Sequence, residues 1–217
     1  MKNEDIEHKS SAKMIIFVTL FLSLIYVVLR YHIFGGVSWE EFPLFILNKG
    51  LSLAGFLLIT YNFSFGPIKN IGVKVPDSWL DARNTLAMIG FLLLLLHALI
   101  SFLLFSPEYY AEFFEENGKL TLLASLSILF GVVGFVLLWM INMTFQTYMR
   151  ENDIFVKFIS SRSFLLAALT LGGLHLALMG YKGWLTPALW HGGLPPVSLL
   201  AFFFFAAGYL ANVWGRK

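Results

Sequence analysis

The chain alternates long apolar runs with short polar breaks, and that rhythm organises everything else in it. Six runs reach the roughly 20 apolar residues that an α-helix needs to cross the hydrocarbon of a bilayer. They extend over about Met14–Phe34, Leu44–Phe65, Ala82–Phe105, Leu120–Phe145, Ser163–Tyr181 and Leu194–Val213. A segment isolated in lipid must satisfy its own backbone hydrogen bonds, so each run predicts a helix. The first run is too long for the apolar core of a secretory leader and is followed by no small-residue cleavage site, so it reads as a permanent span. The expected fold is all-α: a six-helix transmembrane bundle over 14–213, between tails at 1–13 and 214–217.

The polar breaks carry the orientation. With six spans both termini share a side. That side holds 11 of the 15 Lys and Arg residues, among them Lys69, Lys74, Arg83, Arg150, Lys157 and Arg162, and the other holds Arg30, Lys49, Lys119 and Lys182. The positive-inside rule then places both termini in the cytoplasm, as in a bacterial inner-membrane protein. The break SPEYYAEFFEENGK (106–119) differs from the rest. Tyr109 and Phe113, and Tyr110 and Phe114, stand four apart among glutamates. This pattern predicts an amphipathic helix over about 107–117 lying on the outer surface.

Composition narrows the chemistry. Hydrophobic residues make up 58% and charged residues 13% of the 217, which fits a lipid-embedded chain and not a water-soluble domain. A net charge of +2 gives no footprint for nucleic acid. The absence of cysteine excludes disulfides, iron–sulfur clusters, zinc–thiolate sites and thioether-attached haem. There is no P-loop and no dinucleotide fingerprint.

Ionisable side chains deep in a span are costly and mark functional candidates. His97, in LLLLLHALISF, lies 14 residues beyond Arg83; His175, in LTLGGLHLALMG, lies 13 beyond Arg162. At 1.5 Å per residue both stand about 20 Å above the cytoplasmic end. Two helices of the same direction therefore offer one imidazole each at one level, which is what clamping a haem between helices requires. Each histidine could equally be a hydrogen-bonded packing residue. His32 and His191 fall at the outer ends of spans and read as interfacial.

These segments resemble the ferric reductase-like transmembrane family, and within it the haem-binding membrane subunits of bacterial methionine sulfoxide reductase systems. The likeness runs from about Lys49 to Tyr181. It is carried by NKGLSLAGFLLITYNFSFGPIKN, by ARNTLAMIGFLLLLLHALISF and by SSRSFLLAALTLGGLHLALMG. The resemblance implies a six-helix cytochrome b in which His97 and His175 are the axial ligands of a haem b near the outer face. It implies electron transfer from a separate donor to an acceptor protein outside. Arg30, Lys49 and Lys182 are the cations available to haem propionates. The family's first histidine of the fifth span falls here on Ser161, and Arg83 and Asn84 stand where an inner ligand on the third span would be. One haem is therefore expected, with a flavin or quinol as the carrier needed nearer the cytoplasm. A haem-free structural or assembly subunit, or a small-molecule transporter, are the competing readings.

Overall fold

Leucine, phenylalanine and alanine dominate the apolar runs, and their backbones close into helices along nearly their whole length. A computed structural model of the chain describes residues 2–144 and 151–215, with side chains from Ser11 onward. The helices are α1 (Lys2–Val27), α2 (Leu47–Asn70), α3 (Asp77–Leu104), α4 (Leu122–Met143), the short α5 (Asp153–Ile159), α6 (Arg162–Trp184) and α7 (Val197–Gly215). Six stretches are long and apolar enough to cross a membrane: Ser11–Ile33, Trp39–Asn70, Asp77–Leu104, Leu122–Met143, Arg162–Trp184 and His191–Gly215. The all-α, six-span architecture expected from the apolar pattern is the architecture observed. The expected end of the fourth span at Phe145, the counted Arg150, and Met1, Arg216 and Lys217 lie outside the described residues.

The bundle is turned inside out relative to a water-soluble protein. Phe17, Phe102, Leu103, Leu122 and Phe203 each expose two-thirds or more of their surface. The fully buried side chains include Asn48, Asn212, Ser23 and Ser127. So much exposed apolar surface is stable against lipid and not against water.

Helix α2 is central. It packs against α3 on one side, α7 on the other, and α1 covers the seam between α2 and α3. Helix α6 packs on α7, and α4 stacks on α6. Helix α3 meets α4 only lightly. The α2–α3 crossing is closest at Gly55 and Gly90, where an added Cβ on either would come within 3.0 Å of the other's carbonyl oxygen. Small residues at such crossings let backbones approach and gain dispersion contacts that lipid cannot compete for.

Both termini lie at one end of the bundle. The amide of Asn70 donates to the Gly215 carbonyl at 2.9 Å, and Ala12 and Ile15 pack with Phe65 and Ala82. At the other end Arg30 donates to the Leu194 carbonyl, joining the end of the first span to the entry of the last.

Helix α2 runs through Pro67 to Asn70. Proline has no N–H, so the Phe63 carbonyl loses its intrahelical partner. The Asn212 amide of α7 donates to that carbonyl at 3.1 Å, which repairs the deficit and ties α7 to α2.

The amphipathic helix expected over about 107–117 is not formed. A turn leads into one 3-10 turn at Ala111–Phe113, and Phe114 bridges antiparallel to Leu120. Two causes are visible. Gly118 adopts φ +79°, and the Asn117 side chain accepts from the Lys119 N–H at 2.9 Å, which closes a tight turn where a helix would have to continue. The rings of Tyr110, Phe113 and Phe114 also gather on Phe105 at the end of α3, and Phe113 is buried among them.

Candidate functional site: a histidine pair between α3 and α6

Helix α3 carries His97 seven residues before its end at Leu104, and α6 carries His175 nine residues before its end at Trp184. Both rings are half-buried. The two histidines that the apolar pattern singled out stand on helices that are not packed against one another, His97 against α2 and His175 against α4.

Each ring is held from one side only. His97 Nδ1 stands 2.8 Å from the side-chain oxygen of Asn48 on α2. The Asn48 amide nitrogen donates to Ser101 Oγ at 3.0 Å, and that hydroxyl lies 3.3 Å from His97 Nδ1. His175 Nδ1 stands 2.9 Å from the backbone carbonyl oxygen of Ser127 on α4. Ser127 Oγ donates to the His175 carbonyl at 3.1 Å. An amide or peptide oxygen only accepts, so these two contacts favour a proton on Nδ1 and a lone pair on Nε2, with the Ser101 and Ser127 hydroxyls beside the same nitrogens at 3.3 and 3.1 Å. No hydrogen bond to a described residue is made through Nε2 of either ring.

The local sequence builds these settings. Ser101 follows His97 by one helical turn, on the same face. Gly131 follows Ser127 by one turn, and the His175 ring occupies the space where a Cβ of Gly131 would stand, 2.7 Å from Nδ1. Gly134 continues that small-residue face against Leu171. Asn48 is fully buried, and its position on α2, next to Lys49, is the one polar signal in the sequence that could have marked it. Ser127 and Ser101 carry no such signal, because serines are common in spans.

Lys49 is the cation of this neighbourhood. Its ammonium donates to the Tyr110 hydroxyl at 3.0 Å and sits over the Phe45 and Tyr110 rings at 5.2 and 4.8 Å. Arg30 is spent on the Leu194 carbonyl, and Lys182 lines a shallow recess with Glu112 and Tyr181. Of Arg30, Lys49 and Lys182, Lys49 is the one joined to His97, through its neighbour Asn48. Nearby, Tyr109 donates to the Glu41 carboxylate at 3.1 Å, and that acceptor holds the phenol above its ordinary pKa.

The remaining histidines are elsewhere. His32 Nδ1 lies 2.8 Å from the Val37 carbonyl with its ring edge-on to Trp39, and His191 is exposed in a 3-10 turn. Ser161 takes the role of N-cap: its Oγ accepts from the Phe164 N–H at 3.3 Å and starts α6. No group of three or more His, Cys, Asp or Glu side chains gathers among the described residues. The histidine pair offers too few donors for a bare ion of tetrahedral preference. A macrocycle that brings its own four nitrogens needs only the two.

No family model matches the chain, and no curated protein matches it.

Proposed function

We propose that this chain is a membrane cytochrome b-type electron-transfer protein, with one haem b held between His97 and His175. The observation that supports it most is the shared tautomer. Both rings direct Nδ1–H at a protein oxygen and leave Nε2 bare, which is the arrangement seen where imidazole is a metal ligand and its second nitrogen is anchored by an oxygen acceptor. Two imidazoles on neighbouring spans, each anchored through Nδ1 to an oxygen, are a donor set of the kind a haem takes.

Haem b, when bound, supplies reversible one-electron chemistry at its iron. The chain's own residues do the rest. The Ser127 carbonyl and the Asn48 side chain fix the tautomer and the ring planes. Gly131 lets the His175 ring lie against α4. Leu94 and the stacked Phe91 and Phe135 rings keep water from the interior. Lys49 supplies a positive charge beside His97. His97 and His175 would hold the haem, and a haem held by two imidazoles would supply electron transfer and not oxygen binding.

The terminal end of the bundle faces the cytoplasm in this reading, since 11 of the 15 basic residues lie on that side. An electron donor works at that end and an acceptor protein at the other, in a bacterial inner membrane.

The test is the absorption spectrum of the protein purified in mild detergent, oxidised and then dithionite-reduced, with haem quantified per chain. A Soret band that shifts on reduction, sharp α and β bands and about one haem per chain are expected. A colourless protein from cells supplied with haem overturns the proposal and leaves the histidines as packing residues of a structural subunit.

A further inference from the structure

The elements that hold the two histidine rings all end at one loop, opposite the termini. Helix α3 ends just before Phe105, eight residues or about 12 Å beyond His97. Helix α6 passes Leu178 three residues beyond His175, and α4 starts directly after Thr121, six residues before Ser127. Asn48 stands at the start of α2 beside Lys49. The loop at 106–119 touches each of these ends.

Phe113 is its centre. The residue is only 7% exposed. Its ring lies 6.3 Å from that of Phe105 and 5.8 Å from that of Tyr110. Its carbonyl accepts from the Thr121 N–H at 2.9 Å, and it borders a shallow recess with Leu123, Leu178 and Met179. One phenyl ring thus sits where the ends of α3, α4 and α6 converge. Two neighbouring phenols tie the loop to the start of α2. The Tyr110 hydroxyl accepts from Lys49 at 3.0 Å. Tyr109 donates to Glu41 at 3.1 Å and stacks on Phe45 with centroids 6.1 Å apart.

The rest of the loop faces outward. Glu108, Glu112, Glu115 and Glu116 are exposed, and Phe113 is the one buried residue between 106 and 119. A segment held by one buried ring and a few side-chain bonds opens at a lower free energy than the helices beneath it. Its glutamates are solvated whether it is seated or released, so the cost of opening is confined to the ring and the two phenol contacts.

We propose that the loop at 106–119 is a releasable plug, with Phe113 as the stopper and Tyr109 and Tyr110 as its latches, and that its release opens a water route to His97 and His175. Seated, it shuts the aqueous phase off from the level of Ser101 and Ser127, where the Nδ1 contacts are made. The closure stands on this geometry alone. Its use, to set how far a haem on the two rings meets solvent, rests on the haem reading.

The chain contains no cysteine, so a single introduced thiol reports by itself. Ser101→Cys and Ser127→Cys put reporters beside the two rings. Ser64→Cys puts a buried reporter toward the terminal end, and Leu189→Cys, at a position 72% exposed, sets the unprotected rate. The probe is a quaternary-ammonium methanethiosulfonate, which is charged and needs an aqueous path, applied to the full chain in detergent with labelling followed by intact mass. Slow labelling of the Ser101 and Ser127 reporters is expected. Phe113→Ala should raise both rates by about tenfold or more, the scale of one buried phenyl ring. Tyr109→Phe with Tyr110→Phe keeps the rings, removes the two bonds and should raise both rates by about threefold or more; this pair keeps the test open if Phe113→Ala does not fold. Labelling of either ring-side reporter as fast as that of the Leu189 reporter, with the loop unaltered, overturns the closure. So do unchanged rates in both loop variants, a rise at one ring-side reporter without the other, or an equal rise at the Ser64 reporter, which marks general loosening. The rates are read on thiols, so a haem-free chain that shows the expected pattern upholds the plug while removing the haem reading, and a haem-replete chain without the pattern does the reverse.

Discussion

The backbone carbonyl oxygen of Ser127 lies 2.9 Å from Nδ1 of His175, and this contact across α4 and α6 decides which nitrogen of the imidazole is available. A carbonyl oxygen belongs to the backbone, so no side-chain substitution at 127 removes it. What positions it is the close approach of the two helices at Gly131. A Cβ there would fall 2.7 Å from the ring, closer than packed atoms come.

Gly131→Leu should therefore drive His175 off its seat and push α4 from α6. Overpacking of this kind costs about 1–3 kcal/mol. A lower thermal midpoint in detergent is expected, together with haem content below half that of the unmodified protein. The pyridine haemochrome assay and a thermal unfolding scan measure the two. Normal haem content in the variant would mean that the His175 ring is not the ligand held here.

The Asn48 side chain does for His97 what the backbone does for His175, so here substitution reaches the contact directly. Asn48→Leu removes the acceptor of Nδ1 and also the amide that donates to Ser101. Loss of such an outer partner of a metal-bound imidazole costs about 10- to 100-fold in affinity. Asn48→Asp keeps an acceptor and should retain most of it. Haem titration of apoprotein, compared with His97→Ala, resolves the order: unmodified, Asp, Leu, Ala.

The spans were legible because each is a run of about 20 apolar residues, and nothing else in the chain competes with that signal. That His97 and His175 stand inside spans was legible too, since each falls within an apolar run. Their partners were not. Asn48 and Ser127 lie 49 and 48 residues from the histidines they serve, and only helix packing brings them together. The loop at 106–119 misled for a different reason. Aromatic residues four apart mark one face of a helix, but the same spacing lets Tyr110, Phe113 and Phe114 collapse on Phe105 once Asn117 and Gly118 close a turn.

If His97 and His175 hold a haem as proposed, Lys49 sets a sign for its reduction potential. A positive charge beside the iron would favour the electron-rich ferrous state, so Lys49→Met should lower the midpoint. A coupling of ~1.4 kcal/mol corresponds to about 60 mV for one electron. A spectroscopic redox titration reads the shift directly, and it should shrink as salt is raised only if the site is open to solvent. An unchanged midpoint would place Lys49 outside the influence of the iron and leave it as an anchor for Tyr110.

The last prediction concerns the fold and is independent of any cofactor. Pro67 leaves the Phe63 carbonyl without its helical donor, and Asn212 supplies one from α7 at 3.1 Å while also donating to the Gly208 carbonyl at 2.9 Å. Asn212→Leu strands the Phe63 carbonyl, and the cost should be about 1–3 kcal/mol, the penalty for a buried acceptor without a partner. Pro67→Ala restores an N–H four residues after Phe63, so the helix can close that bond itself. If the two residues act on one carbonyl, the double variant should be less destabilised than Asn212→Leu alone, with a coupling energy of about 0.5–3 kcal/mol in the rescuing direction. Thermal or denaturant unfolding of the four proteins in the same detergent closes the cycle. Strict additivity would show that Asn212 is retained for its bond to Gly208, or for packing in the α2–α7 seam, and not for the carbonyl that proline exposes.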